Sequence, residues 1–149
     1  MQTLNFPTYN FRLRKNNEEV AEIFEPVRKK WLVLTPEEWV RQHWVQFLIE
    51  EIQVPIALIG TENGFKVGTR LKRSDLIVYK NGIPKLLIEC KSHSIPLNQT
   101  VLNQIISYNS QFKCKFLVLS NGLNHKLFEI YYDNNKIKEL KKLENFEKW

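Results

Sequence analysis

The sequence has little cysteine and no long apolar run, and each shortage excludes a class of protein. The 149 residues include two cysteines, Cys90 and Cys114, with neither a CxxC pair nor a histidine at ligand spacing. This pattern argues against a zinc site and predicts buried, reduced thiols in a cytoplasmic protein. No run approaches 18 apolar residues, and the N-terminus lacks the features of a signal peptide. We therefore expect neither a membrane span nor secretion.

Several functional signatures are also missing. The sequence has no internal repeat, no low-complexity segment and no GxxxxGK[ST] phosphate loop, so we do not expect ATP-driven translocation by this chain. The three histidines lie in unrelated contexts, which disfavours a serine–histidine–aspartate mechanism. A hydrophobic content of 43% with four tryptophans indicates a packed core. The formal net charge of +6 is compatible with a nucleic-acid partner but does not require one.

Hydrophobic spacing and turn residues predict one α/β domain that follows a lead-in. Residues 1–34 are expected to form the lead-in, with short strands packed on the domain, and residues 35–149 the domain itself. The segment from Thr35 to Glu38 is typical of a helix start, because it combines a hydroxyl N-cap, a proline and a capping-box acid. This helix should run to about Glu51.

The remainder of the domain predicts a sheet with one more helix. The expected strands cover 56–62, 65–70, 75–79, 85–91, 115–120 and 127–132, a helix covers 97–112, and 136–142 is a final strand or short helix. Turns are expected at Asn63-Gly64 and Asn81-Gly82. The strand–helix–strand crossover from Glu89 to Lys115 implies a parallel pair in an otherwise antiparallel sheet. The predicted fold class is therefore α/β, with a mixed central β-sheet flanked by helices.

Three charged residues at the ends of two apolar strands predict a site. Glu89 and Lys91 project from the same side of their strand, and a hairpin can bring Asp75 beside them. Two acidic ligands and one cation are the minimum equipment for holding Mg²⁺ against a phosphodiester. A salt bridge between rim charges is the alternative. A second ExK tripeptide, Glu139–Lys141, lies in a polar tail, where a solvated surface explains it.

The spacing of Asp75 and Glu89-Cys90-Lys91 resembles the PD-(D/E)XK nuclease superfamily, with Ser74-Asp75 in place of the Pro-Asp of its name. A longer set of segments, in order along residues 23–130, is similar to the N-terminal nuclease domain of type I restriction enzyme motor (R) subunits. These segments are 25–31, 34–42, 73–75, 88–91, Gln104-x-x-x-Tyr108-Asn109 and 120–122. The resemblance implies a restriction-endonuclease-like core.

The resemblance also implies roles for the acidic and lysine positions. Asp75 and Glu89 would ligate Mg²⁺, with Mn²⁺ as a substitute, and Lys91 would position or activate the attacking water or steady the phosphate charge. Glu38 would be the acid of the first helix that assists metal binding, and Glu37 is the alternative. Because a lysine among carboxylates holds its proton firmly, electrostatic stabilisation is the preferred role of Lys91.

The remaining matched positions would act around this centre. Gln104 would belong to the catalytic set by supporting the site, and Tyr108 would contact the DNA backbone. Arg73 would hold a phosphate, which we infer from its place beside Asp75. The expected function is a Mg²⁺-dependent DNA endonuclease of restriction-modification, whose partners are DNA and either a second copy or other restriction or repair subunits. The alternatives are a non-catalytic DNA-binding or assembly module that retains the fold, and a structural domain without a nucleic-acid role.

Overall fold

The computed structural model describes residues 1–67 and 70–149, and gives side chains for 1–61 and 75–149. In these ranges two helices and nine strands follow one another along the chain. They are β1 (Leu13–Lys15), β2 (Ala21–Glu25), β3 (Lys30–Val33), α1 (Pro36–Glu50), β4 (Ile59–Val67), β5 (Arg70–Lys80), β6 (Ile83–Cys90), α2 (Gln99–Phe112), β7 (Phe116–Ser120), β8 (His125–Tyr131) and β9 (Lys136–Leu140). Short 3-10 turns cover Ile56–Leu58 and Phe146–Lys148.

Strands β1, β2 and β3 form a small antiparallel sheet from the N-terminal segment. Its inner face is anchored by Ile23, which is fully buried, and by Glu25, whose side chain is also excluded from solvent. The Glu25 carboxylate accepts hydrogen bonds from Arg28 and, at 3.1 Å, from the Thr61 hydroxyl of β4. This bond ties the small sheet to the central one. The short strands predicted in the lead-in are present, and the division at residue 34 stays a prediction.

Helix α1 begins as the sequence predicts. The Thr35 hydroxyl accepts a hydrogen bond from the Glu38 backbone N–H at 3.0 Å, which satisfies one free donor of the first turn. The reciprocal bond of a capping box is replaced, because the Glu38 carboxylate accepts from Arg41 and Gln42 instead. Neither helix among the described residues is long and apolar enough to cross a membrane.

The central sheet has six strands in the order β4-β5-β6-β7-β8-β9. Strands β6 and β7 pair in parallel, with Leu87 opposite Leu117, and every other neighbouring pair is antiparallel. Helix α2 provides the crossover that a parallel pair requires. The predicted fold class is therefore confirmed: a mixed sheet flanked by helices, as in a restriction-endonuclease-like core.

Two apolar clusters cover opposite faces of this sheet. On one face, residues of α1 pack with alternate residues of the strands, including Val40, Trp44, Leu48, Leu76, Val78, Leu86, Ile88 and Val118. On the other face, α2 contributes to a smaller cluster of Ile77, Leu87, Ile105, Cys114, Leu117 and Phe128. Because β5, β6 and β7 are buried on both faces, their ends are held in fixed positions.

The turn predicted at Asn63-Gly64 is wrong. Strand β4 runs from Ile59 to Val67 without interruption, and in its register with β5 Asn63 lies opposite Ser74. The hydrogen-bond ladder with β5 therefore overrides the local turn preference. Two other expectations are settled as well: 56–58 forms a 3-10 turn before β4, and the segment after 136 is a strand.

Both cysteines are free and buried, as predicted. Burial raises the pKa of the Cys114 thiol to about 12, and it raises the pKa of Cys90 well above the usual value with help from the charge of Asp75. Thiols with such raised pKa values stay protonated at neutral pH, so they pack as small apolar side chains.

We expect Leu87→Ala to lower the free energy of unfolding by about 2–5 kcal/mol, because Leu87 is fully buried between β6 and α2 and the substitution leaves a cavity. Leu13, which is 52% exposed on β1, offers a matched control whose truncation should change stability by less than about 0.5 kcal/mol. Urea unfolding followed by circular dichroism measures both. Equal effects of the two substitutions would contradict the described core.

Candidate active site

The register between β5 and β6 brings Asp75 and Glu89 together. Leu76 lies opposite Ile88, so the preceding residue of β5 and the following residue of β6 are neighbours. The Asp75 Oδ2 atom accepts a hydrogen bond from the Cys90 backbone N–H at 2.7 Å. Lys91 completes the group, with its Nζ atom 3.3 Å from Oε1 of Glu89. The convergence that the sequence predicted for these three residues is thus present in the fold.

The backbone of Lys91 is fixed by the next strand. Its N–H group donates a hydrogen bond to the Ser120 carbonyl at the end of β7, at 2.8 Å. The parallel β6–β7 pairing therefore extends through the last residue of the site. This bond fixes the point from which the Lys91 side chain extends, and the ion pair with Glu89 places its ammonium group.

The ionised forms of the Asp75 and Glu89 carboxylates are destabilised by their surroundings. Burial raises the pKa of Asp75 well above its usual value, and the nearby charge of Glu89 raises it further. The Cys90 N–H and the Arg41 guanidinium act in the opposite direction without cancelling this rise. Burial also raises the pKa of Glu89, although Lys91 and a hydrogen bond with Asp75 lower it in part. Two neighbouring carboxylates with raised pKa values favour the binding of a cation, because the cation stabilises their ionised forms.

Lys91 is less buried than its acidic neighbours. Partial burial alone would lower its pKa, but the carboxylates of Glu89, Asp75 and Glu37 together raise the pKa above its usual value. The ammonium group therefore stays charged at neutral pH. This direction agrees with an electrostatic role for Lys91 and disfavours its action as a general base.

The two acids at the start of α1 have different surroundings. Glu38 is 4% exposed, and its carboxylate is occupied by an ion pair with Arg41 and a hydrogen bond from Gln42 at 2.9 Å. Glu37 is exposed, and its charge raises the pKa values of Asp75, Glu89 and Lys91. The charge of Glu37 therefore acts on the site, and its carboxylate is exposed. The carboxylate of Glu38, in contrast, is already paired with Arg41.

The other predicted site residues are Gln104, Tyr108 and Arg73. Gln104 is exposed on α2, whereas Tyr108 is half-buried and packs against the cluster around Leu87. The structure gives Tyr108 a packing role, and its predicted DNA contact stays a prediction, as does the supporting role of Gln104. The side chain of Arg73 lies outside the described residues, so its predicted phosphate contact also stays a prediction.

The donor set suits a hard divalent cation. Among the side chains that the structure describes, those of 1–61 and 75–149, no three of His, Cys, Asp or Glu are grouped to hold a metal ion. Mg²⁺, however, is commonly bound through one or two carboxylates, with waters and substrate phosphates completing its shell. Asp75 and Glu89 supply that number of carboxylates, and a cation would offset the burial and the charge of Glu89 that together raise the pKa of Asp75.

Comparison with known proteins identifies the family of this chain. The model of the family described as type I restriction enzyme R protein N terminus (HSDR_N) matches residues 36–143, and the chain belongs to this family. It is thus a nuclease-like domain of the restriction-modification class. One similar solved structure is a fragment of a protein assigned as the HsdR subunit of a type I restriction enzyme from Vibrio vulnificus YJ016. The identity is 21% and the TM-score 0.40 over 58% of this chain and 19% of the Vibrio chain. No curated protein matches.

Sequence reasoning missed the contribution of Arg41. This arginine is 8% exposed on α1, forms the ion pair with Glu38, and its Nη1 atom lies 3.9 Å from Oδ1 of Asp75. A signal was present, because Glu38, Arg41 and Gln42 follow a helical spacing of three and four residues among the apolar positions of α1. Polar residues on a buried helix face usually contact one another or a site.

We expect Asp75→Asn to raise the free energy of unfolding at pH 7.5 in buffer with EDTA. Because the folded-state pKa of Asp75 is raised, its contribution to stability is complete below the unfolded pKa of about 4 and is lost as the pH rises through the folded value. The asparagine has no charge to bury, so the gain should be present at pH 7.5 and absent near pH 3.

Urea unfolding across this pH range measures the effect. Asp133, the other aspartate of the chain, is exposed after β8, and Asp133→Asn is the matched control with no expected change. A loss of stability in Asp75→Asn at pH 7.5 would contradict the described electrostatics.

Proposed function

We propose that this domain is a Mg²⁺-dependent DNA endonuclease that hydrolyses phosphodiester bonds, as the nuclease domain of a type I restriction enzyme. The observation that carries the proposal is the buried carboxylate pair of Asp75 and Glu89 beside the charged Lys91. Two neighbouring carboxylates on buried strands weaken a fold unless a cation neutralises them. Membership of the R protein N-terminal family supports the same reading.

In this proposal Asp75 and Glu89 hold the metal, and Mn²⁺ substitutes for Mg²⁺. When bound, the ion activates water and neutralises charge on the leaving oxygen. Lys91 donates hydrogen bonds to the phosphate oxygens as negative charge develops there, since its raised pKa keeps it protonated. Arg41 restrains the Asp75 carboxylate from the side of α1.

The surrounding residues complete the proposed DNA contacts. Gln104 supports the site from α2, while Tyr108 and Arg73 contact the backbone of the DNA. The acid of α1 is assigned to Glu37, because its carboxylate is exposed while that of Glu38 is occupied by Arg41. We further propose that the domain acts together with other subunits of a restriction enzyme or with a second copy of itself.

We expect Glu89→Gln and Lys91→Ala to lower metal-dependent DNA cleavage by at least about 100-fold, since each removes a charge that acts on the transition state. Cleavage of supercoiled plasmid and of linear single- and double-stranded DNA, with Mg²⁺ or Mn²⁺, measures the rate. An exposed acid of the β1–β2 turn provides the control: Glu18→Gln should cut like the wild type.

The results separate the proposal from its alternative. Metal-dependent cutting that survives Glu89→Gln would remove the assigned site. A wild-type chain that binds DNA, but neither binds Mg²⁺ nor cuts in the presence of its partner subunits, would instead identify a non-catalytic DNA-binding module. A metal titration by calorimetry, compared between wild type and Glu89→Gln, reports on the site independently of cleavage.

We expect Glu37→Gln to weaken Mg²⁺ binding about tenfold while leaving stability nearly unchanged, because the exposed carboxylate adds one charge to the site. Glu38→Gln should lower the free energy of unfolding by about 3 kcal/mol, since it removes the carboxylate charge that forms the ion pair with the buried Arg41. Calorimetric titration and urea unfolding of both variants test the assignment. The reverse pattern would return the metal-binding role to Glu38.

A further inference from the structure

A lysine-rich groove lies away from the candidate active site. A cavity of about 560 Å³ opens between β9, the start of β7 and the C-terminal segment. Lys138, Lys141, Lys142 and Lys148 stand around it, and the Phe116 and Trp149 rings form part of its lining. A second cavity of about 380 Å³ continues from it at Lys115, which lines both. We call these two cavities together the lysine groove.

The groove concentrates positive charge. Seven lysines and four carboxylates line it, an excess of three positive charges, against a formal net charge of +6 for the whole chain. Among the residues that the structure describes, the only salt bridge made by these lysines joins Lys115 to Glu129, at 3.8 Å. Glu129 also accepts a hydrogen bond from the Tyr131 hydroxyl, so it is engaged on both oxygens while Lys138 stands opposite it on β9. The remaining ammonium groups are available to a ligand.

One wall of the groove is held in place. The Lys80 ammonium group, at the end of β5, donates hydrogen bonds to the backbone oxygens of Phe146, Glu147 and Trp149, at 2.9, 3.2 and 3.0 Å. The Phe146 N–H also donates to the Ile52 carbonyl at 2.9 Å. The concave shape is therefore built by the fold and does not need a ligand to form it, which lowers the entropy cost of binding.

We infer that the lysine groove binds the phosphate backbone of duplex DNA and holds the substrate away from the point of cleavage. Ammonium groups bind phosphates as point charges and without regard to sequence. Several unpaired lysines along a concave wall match a row of phosphates, which carry one negative charge per 3.4 Å of each strand. The choice of DNA as the polyanion rests on the proposed function.

Part of the groove lies at the opposite end of β6 from the active site. Lys85 is near the start of β6, and Glu89 is four residues further on, a distance of about 13 Å along the strand. A duplex of 20 base pairs, about 70 Å long, can extend well beyond this distance. The groove should therefore contribute to affinity without taking part in the chemistry.

The test compares two double variants of equal charge. Lys138→Gln/Lys141→Gln removes two exposed lysines from the groove, and Lys29→Gln/Lys30→Gln removes two exposed lysines from the β2–β3 turn. Binding of a fluorescent 20-base-pair duplex is followed by anisotropy in EDTA at several salt concentrations. We expect the groove variant to bind about tenfold more weakly at 50 mM salt, with a log–log salt slope shallower by about 1.8, and the turn variant to match the wild type.

Two outcomes would overturn the inference. Equal weakening by both variants would mean that affinity follows net charge, and a wild-type chain that does not bind duplex DNA would leave the groove without this ligand. Because the assay contains EDTA, the loss of metal binding or cleavage cannot change its result. Thermal melts of both lysine variants confirm that the fold is intact.

Discussion

The pairing of β5 with β6 is the constraint on which the site depends. A shift of one residue in this register would turn Asp75 to the other face of its strand and separate it from Glu89. The register is fixed by apolar residues on both faces, with Leu76 opposite Ile88 and Ile77 opposite Leu87. The hydrogen bond from the Cys90 N–H to the Asp75 carboxylate then holds one acid against the neighbouring strand. The packing of the core thus fixes the register, and the register sets the positions of the charged residues.

The fold keeps this arrangement against its own electrostatics. Burial raises the pKa values of both carboxylates, and the charge of Glu89 adds to the rise at Asp75. The compensation comes from cations on two different elements, Lys91 at the end of β6 and Arg41 on α1. Packing of apolar residues on both faces of these strands stabilises the fold, and this stability offsets the cost of burying the two acids.

Much of this architecture was accessible from the sequence because the signals were local. Alternating and continuous apolar runs marked β5, β6 and β7, and the spacing of charges at their ends marked Asp75, Glu89 and Lys91. The turn at Asn63-Gly64 was wrong because pairing with a distant strand decided the conformation. The position of Arg41 beside Asp75 likewise depends on how α1 crosses the sheet, which no single segment encodes.

Strand β5 carries Asp75 near its middle and Lys80 at its end, and the register with β6 shifts at a bulge between Val78 and Tyr79. A bulge bends a strand and changes its twist locally. The residues before the bulge keep the register that aligns the two carboxylates, with Leu76 opposite Ile88, whereas Tyr79 and Lys80 follow a second register. One strand therefore serves two alignments, one for the candidate site and one that directs Lys80 to the C-terminal segment.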